Sequence, residues 1–294
     1  MLSLEELHSR ILYPVVRVRL EKSGGSGTVI YSQPTRGAKA GTEHQTFVLT
    51  NHHVIEDALK IDEKWDSLLQ RRTKQEVRGK VAVDLFDYVD LSTCVSSNTH
   101  MADIVAYSPE QDLALLKLVS PKRVEHVASL FPCGEEDHIK MFTEIYSCGA
   151  SLLHEPFANK GRITYLQEII DNETYWMNSA NSIFGNSGGA VFLADTGEFI
   201  GVPARVTTKQ MGFGVDIITW MSYAIPIPRI YNFLEDQEMQ FVYDEKETFE
   251  AGLKRREKKQ KKASYDVMAN EDEGMGKKEV EEPTPFPFGN PGGN

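Results

Sequence analysis

Short apolar runs, many of them alternating with polar positions, recur along the chain from residue 15 to residue 227. VVRVRL (15–20) is β-branched and alternating, and it predicts a strand. GGSG (24–27) reads as a turn leading into a second strand at 28–31. Residues 33–46 are polar with Gly and Pro and read as a loop, and FVLT (47–50) predicts a third strand. KVAVDLFDYV (80–89), ADIVAYS (102–108) and DLALLKLV (112–119) continue the pattern. So do FTEIYSCG (142–149), GRITYLQEI (161–169), ETYWMNS (173–179), AVFLA (190–194), FIGVPARV (199–206) and WMSYAIPI (220–227), with KQMGFG (209–214) as a loop.

Helical signals are few. Ser3 and Glu6 form a capping box, so a short helix starts at Leu4 and stops before Pro14. Residues 55–75 are charged and helix-compatible and predict an inserted helix, and IPRIYNFLED (227–236) predicts a closing one. Many short strands separated by turns, with few helices, predict an all-β barrel or sandwich.

After residue 246 the composition changes. LKRREKKQKK (253–262) is a basic block, followed by acidic runs and PTPFPFGNPGGN. This stretch is too polar to form a core, so 247–294 is expected to be a charged, mostly disordered tail behind a folded domain at 1–246. Phe286 and Phe288, set among prolines, suit a docking peptide for a protein partner. The 294 residues carry a net charge of −11, which argues against nucleic acid as a partner. No run reaches the ~20 apolar residues of a membrane span, and the N-terminus lacks a secretory pattern. Cys94, Cys133 and Cys148 are odd in number and show no metal spacing, so buried free thiols in a cytoplasmic, reducing setting are expected.

FGNSGGAVF (184–192) places a serine among glycines immediately before an apolar strand. Serine is a weak nucleophile at neutral pH and needs a base and a site for the oxyanion. Small neighbours let the backbone N–H groups of Gly185 and Ser187 converge, and Gly188 and Gly189 admit a substrate backbone. A histidine must serve as base, and it needs an acceptor to fix its tautomer. FVLTNHHV puts histidines directly after one strand, and QDLALLKL puts an aspartate at the start of another.

Together these pieces resemble the trypsin-like (chymotrypsin-fold) serine proteases, and within them the HtrA (DegP-like) branch. GSGTVI, LTNHHV, DLALLKL, GNSGGAVF and SYAIPI each resemble a segment of that branch, in the same order, across roughly 15–227. The resemblance implies a double six-stranded β-barrel with short terminal helices and the active residues in the cleft between barrels. It makes His53 the base and His52 its neighbour, Asp112 the acceptor in preference to Asp103, and Ser187 the nucleophile, with Gly185 and Ser187 amides as oxyanion hole. By the same similarity Asn181 lies at the base of the specificity pocket, with Val202, Pro203 and Ala204 pairing to the substrate backbone. A small or medium apolar side chain is expected before the scissile bond. No cofactor or metal is implied.

The chain departs from that pattern in three places. His53 and Asp112 stand 59 positions apart, the excess lying mainly in 56–78. Asn186 stands where digestive relatives carry an Asp that pairs with a freshly cut N-terminal amine, so activation by cleavage is not expected. No PDZ-like segment follows the barrels. The expected activity is hydrolysis of polypeptides by a serine endopeptidase. The other reading is a proteolytically silent scaffold that binds a partner through its cleft or tail, and the complete set of three residues argues against it.

Overall fold

The computed structural model describes residues 2–35, 43–66, 71–212 and 214–261. The first six-stranded barrel consists of β1 (Val15–Arg19), β2 (Gly24–Pro34), β3 (His44–Thr50), β6 (Lys80–Val89), β7 (Thr93–Ser108) and β8 (Leu113–Leu118), closed in the order β1-β2-β3-β8-β7-β6. Between β3 and β6 a hairpin projects, β4 (Leu59–Asp66) with β5 (Arg71–Arg78). A second ring closes as β10-β11-β14-β13-β12-β9. Its strands are β9 (Glu144–Gly149), β10 (Phe157–Ile170), β11 (Glu173–Asn178), β12 (Ala190–Leu193), β13 (Phe199–Met211) and β14 (Gly214–Pro226). The architecture is the expected all-β double barrel. Helices are short: α1 (Leu4–Leu7), α2 (His52–Ile55), α3 (Ile227–Asp236) and α4, residues 249–261. The Ser3–Glu6 capping box is formed in both directions. Among the described residues no helix is long and apolar enough to cross a membrane.

The unbroken apolar runs in β3 and β8 follow from where those strands lie. Val48 and Leu116 fill the first barrel, whereas Phe47, Leu49 and Leu115 face the larger core shared with the second barrel and α3. Strands buried on both faces have no solvent side to make polar, so FVL and LALL replace simple alternation. In β1 the alternation survives: Val16 and Val18 point into the barrel, while Arg17 and Arg19 reach Asp84 on β6.

That aspartate is fully buried and takes hydrogen bonds from Arg17 Nε (2.7 Å), Arg19 Nε (2.6 Å) and Thr99 Oγ1 (2.6 Å). Burial alone would raise its carboxyl, but these donors outweigh burial and hold it far below the usual carboxylate range. A lowered folded value means that the stabilisation is present above the unfolded pKa of about 3.9 and is lost as pH falls through the folded one. Asp84→Asn is expected to cost about 3 kcal/mol near neutrality, the low end for a broken buried pair because both Arg heads still touch water. Urea midpoints of the two proteins should converge as the pH is taken below about 4; a gap that persists in acid would remove the ionic account.

Four expectations are corrected. GGSG is not a turn but the start of β2, paired with β1 from Arg19↔Gly24 to Val16↔Gly27. The glycines answer to close packing, since a β-carbon on Gly27 would press on Val48, Val18 and Val16. Residues 55–75 do not form an inserted helix: after α2 the chain pairs Leu59↔Arg78 through Asp66↔Arg71. Gly79 N–H donates to Ala58 C=O at 2.7 Å, so the two arms leave the barrel side by side, and antiparallel pairing satisfies backbone groups that helix-compatible composition alone does not organise. The loop expected at 33–46 lies within strands at both ends, because β2 runs to Pro34 and β3 begins at His44, and in the loop expected at 209–214 Lys209 pairs with Asp216 and Met211 with Gly214 as β13 and β14.

The boundary at residue 246 also moves. Phe249, 6% exposed, packs on Phe47 and Phe241 in the main core, and Lys117 lies over its ring at 4.7 Å. In α4, Arg255 Nε donates to the buried Glu238 carboxylate at 2.6 Å, and Lys259 pairs with the same group. The front of the basic block is therefore folded against the barrels by its own counter-charges; the rest of the expected tail, 262–294, lies outside the described residues. All three cysteines are free thiols, but only Cys148 is buried; Cys94 is half-buried and Cys133 exposed.

Candidate active site

The His53 side chain stands on α2, a single helical turn that follows β3. Val54 and Ile55 bury the far side of that turn. Asp112 sits in a left-handed conformation (φ 53°) just before β8, and its backbone carbonyl accepts Asn51 Nδ2 at 2.7 Å. Its carboxylate takes His53 Nδ1 at 2.9 Å through Oδ2, and Oδ1 also accepts the His53 backbone N–H at 3.1 Å. Two contacts to one residue fix both the ring and its backbone. Nδ1 must carry the proton to donate to a carboxylate, which leaves Nε2 as the acceptor.

Asp103 lies elsewhere, on the exposed face of β7 beside Lys80 (3.8 Å). His52 stacks on Tyr107, ring centroids 5.4 Å apart. Burial pushes its imidazole below the ordinary value, against the opposing pull of Asp112 and Glu56.

Ser187 lies on the turn between β11 and β12. The Ser187 carbonyl accepts Ser26 N–H at 2.8 Å, and Gly188 N–H donates to Pro203 C=O at 3.1 Å, so both barrels hold the turn. Gly188 has φ 84°, and a β-carbon there would overlap the Ser26 carbonyl and the Thr50 hydroxyl. Gly25 closes the gap to α2: a β-carbon on it would lie 2.9 Å from both the Ser187 carbonyl and Val54. Among the described residues, the Gly185 and Ser187 N–H groups donate to no acceptor, and no hydrogen bond joins Ser187 Oγ to the His53 ring. Asn186 between them is buried; Ser151 Oγ donates to its Oδ1, and its Nδ2 donates to Ser182 Oγ at 3.1 Å.

A recess of about 290 Å³ opens beside Ser187, walled by Ile183, Phe184, Pro203, Ala204 and Arg205. Pro203 and Ala204 thus face it. Val202 is buried in the core and does not. Asn181 lies outside the wall, its carbonyl taken by Asn159 Nδ2 at 2.9 Å. A larger cavity of about 720 Å³, between the N-terminal segment and the second barrel, contains none of His53, Asp112 and Ser187.

A family model for the trypsin-like peptidase domain matches residues 25–202. The chain belongs to the trypsin-like peptidase domain family. The matched stretch of the peptidase contains His53, Asp112 and Ser187. Its fold is similar to the HtrA-type protease AlgW, solved with a tripeptide, at a TM-score of 0.55 and 19% identity. That match covers 81% of this chain and 64% of the AlgW chain, so the peptidase spans under two thirds of that protein's length. It is also similar to Deg5, at a TM-score of 0.52 and 19% identity over 77% of this chain and 90% of that one. No curated protein matches it.

Two residues of the peptidase's site carry no motif signal strong enough to single them out. Ser26 is fully buried; its hydroxyl accepts Ala150 N–H and donates to Gly185 C=O, both at 2.7 Å, and its carbonyl accepts Thr50 Oγ. Its place within GGSG was the only hint, since a polar residue among strand glycines must find partners across the interface. Among the described residues Arg205 is the one charge in the recess wall, paired with Asp171 at 2.9 Å.

Proposed function

We propose that this peptidase is a serine endopeptidase that cleaves polypeptides through an acyl-enzyme. The observation that carries the reading is the oriented His53–Asp112 pair, its histidine on α2, which Gly25 lets approach a serine turn whose Gly185 and Ser187 amides donate to no acceptor among the described residues. Ser187 Oγ attacks the scissile carbonyl while His53 Nε2 takes its proton. The amides of Gly185 and Ser187 hold the oxyanion that forms. His53 then gives the proton to the leaving amine, and water repeats the sequence to release the acyl product. Asp112 holds the ring in place and stabilises the imidazolium.

The absent Ser187–His53 hydrogen bond favours the other reading, a silent scaffold that binds partners through the cleft. Unliganded sites commonly have this bond long or misaligned until substrate arrives, so endopeptidase activity remains the better account. A fluorophosphonate probe separates the two: attachment at Ser187, located by peptide mass, is expected, and a folded chain that stays unlabelled would sink the enzyme reading.

Three free thiols suit a reducing, cytoplasmic compartment. We assign recruitment of a protein partner to the stretch beyond α4. Ending the chain after Ala263 should leave short-peptide hydrolysis within about two-fold, a change of roughly 0.4 kcal/mol. A larger loss in a folded truncated enzyme would place part of the active machinery in that stretch.

A further inference from the structure

α2 is one turn long, too short to hold a conformation by its own hydrogen bonds, and Asn51 supplies no side-chain cap. Its orientation must come from what packs on it. Val54 and Ile55 seat one side and Asp112 grips His53. The remaining side is His52, and its ring meets Tyr107 with planes 26° apart.

Tyr107 is in turn held by two segments that take no part in the chemistry. Its hydroxyl donates to Glu76 Oε2 on the projecting hairpin at 2.7 Å, and the Arg78 guanidinium lies over its ring at 5.2 Å. Arg78 Nε closes the set by donating to Glu76 Oε1 at 2.5 Å. Burial works to raise the Glu76 carboxyl, but these donors outweigh it and hold the group below the usual carboxylate range. The strand that carries Tyr107 is interrupted two residues earlier, where its pairing with β8 slips between Ile104 and Ala106. Such a slip frees carbonyls from the ladder. Arg256 of α4 donates to Val105 C=O at 2.7 Å, and Arg78 donates to Ile104 C=O at 2.9 Å and Val105 C=O at 3.3 Å. Two cations, one from each segment, thus pin the irregular stretch that aims Tyr107 at His52.

We infer that Tyr107 is a positioning residue for His53, acting through the His52 ring, and that the β4–β5 hairpin and α4 hold it jointly through Glu76, Arg78 and Arg256. The inference rests on His53 being the base. It makes the front of the basic block part of the catalytic unit, and it gives the inserted hairpin a line of contact to the reacting histidine.

The test is the rate at which a fluorophosphonate probe labels the full chain, separated into its maximal rate and half-saturating concentration. Tyr107→Ala and His52→Ala should each lower the maximal rate about ten-fold at unchanged half-saturation, because a small misplacement of the base acts on the reacting step and not on binding. His52→Phe keeps an aromatic face and should recover to within about three-fold. Arg256→Ala should cost about three-fold alone but add almost nothing to Tyr107→Ala, since residues acting through one contact are not additive. Where Tyr107→Ala fails to fold, judged by circular dichroism, the His52→Ala and His52→Phe pair decides. Full additivity of Arg256→Ala and Tyr107→Ala, no recovery in His52→Phe, or an undiminished rate in folded Tyr107→Ala would overturn the inference. A native chain that does not label at all would instead overturn the assignment of His53 and Ser187 on which it rests.

Discussion

Ser187→Ala is expected to abolish fluorophosphonate labelling and to lower peptide hydrolysis by roughly 10⁶-fold, leaving a residue of ~10³–10⁴ over the reaction in water. The residue survives because the Gly185 and Ser187 amides remain: an alanine at 187 still presents its N–H. Stability should hardly move. The Ser187 hydroxyl makes no hydrogen bond among the described residues, and the turn is held by backbone contacts to Ser26 and Pro203 that alanine keeps. The melting temperature of the variant should therefore match that of the parent. Undiminished turnover would eliminate Ser187 as nucleophile, and a collapsed fold would mean that its side chain carries structural weight not visible in the contacts.

Replacing His53 by alanine should cost roughly 10⁴-fold or more in kcat, whereas the same change one residue earlier should cost only about ten-fold. The two neighbours differ in what they touch. His53 holds the Asp112 carboxylate at 2.9 Å, and His52 faces Tyr107. Burial also pushes the His52 imidazole below its ordinary value, so it is less disposed than a free imidazole to take up a proton. Reversed losses in the two variants would move the assignment by one residue.

The parts of this site that were legible in the chain are those where chemistry constrains a short stretch. A serine flanked by glycines, a histidine after a strand and an aspartate before another each leave a local mark, and their order carries further information. Strand positions were legible for the same reason, since burial on one or both faces sets the spacing of apolar residues. The hairpin at 59–78 was not, because its exposed, charged residues are as compatible with helix as with strand; the decision is made by the Ala58–Gly79 pairing, which local composition does not encode. α4 was missed because a basic block reads as solvated unless the partners are known. Those partners, Glu238 and the Val105 carbonyl, lie 17 and 151 positions away from Arg255 and Arg256 respectively. Ser26 was missed for a related reason: its four partners come from Ala150, Gly185, Ser187 and Thr50, none of them near in the chain.

The side chain of Asn186 is fastened by two serine hydroxyls and carries no charge. A latch made of neutral dipoles has no key: no new terminus can be drawn to it by charge, no proton uptake releases it across ordinary pH, and salt does not loosen it by screening. The hold of Asn186 on the turn is therefore a matter of hydrogen-bond geometry, and its contribution to the reactivity of the serine is expected to be the same at low and at high salt.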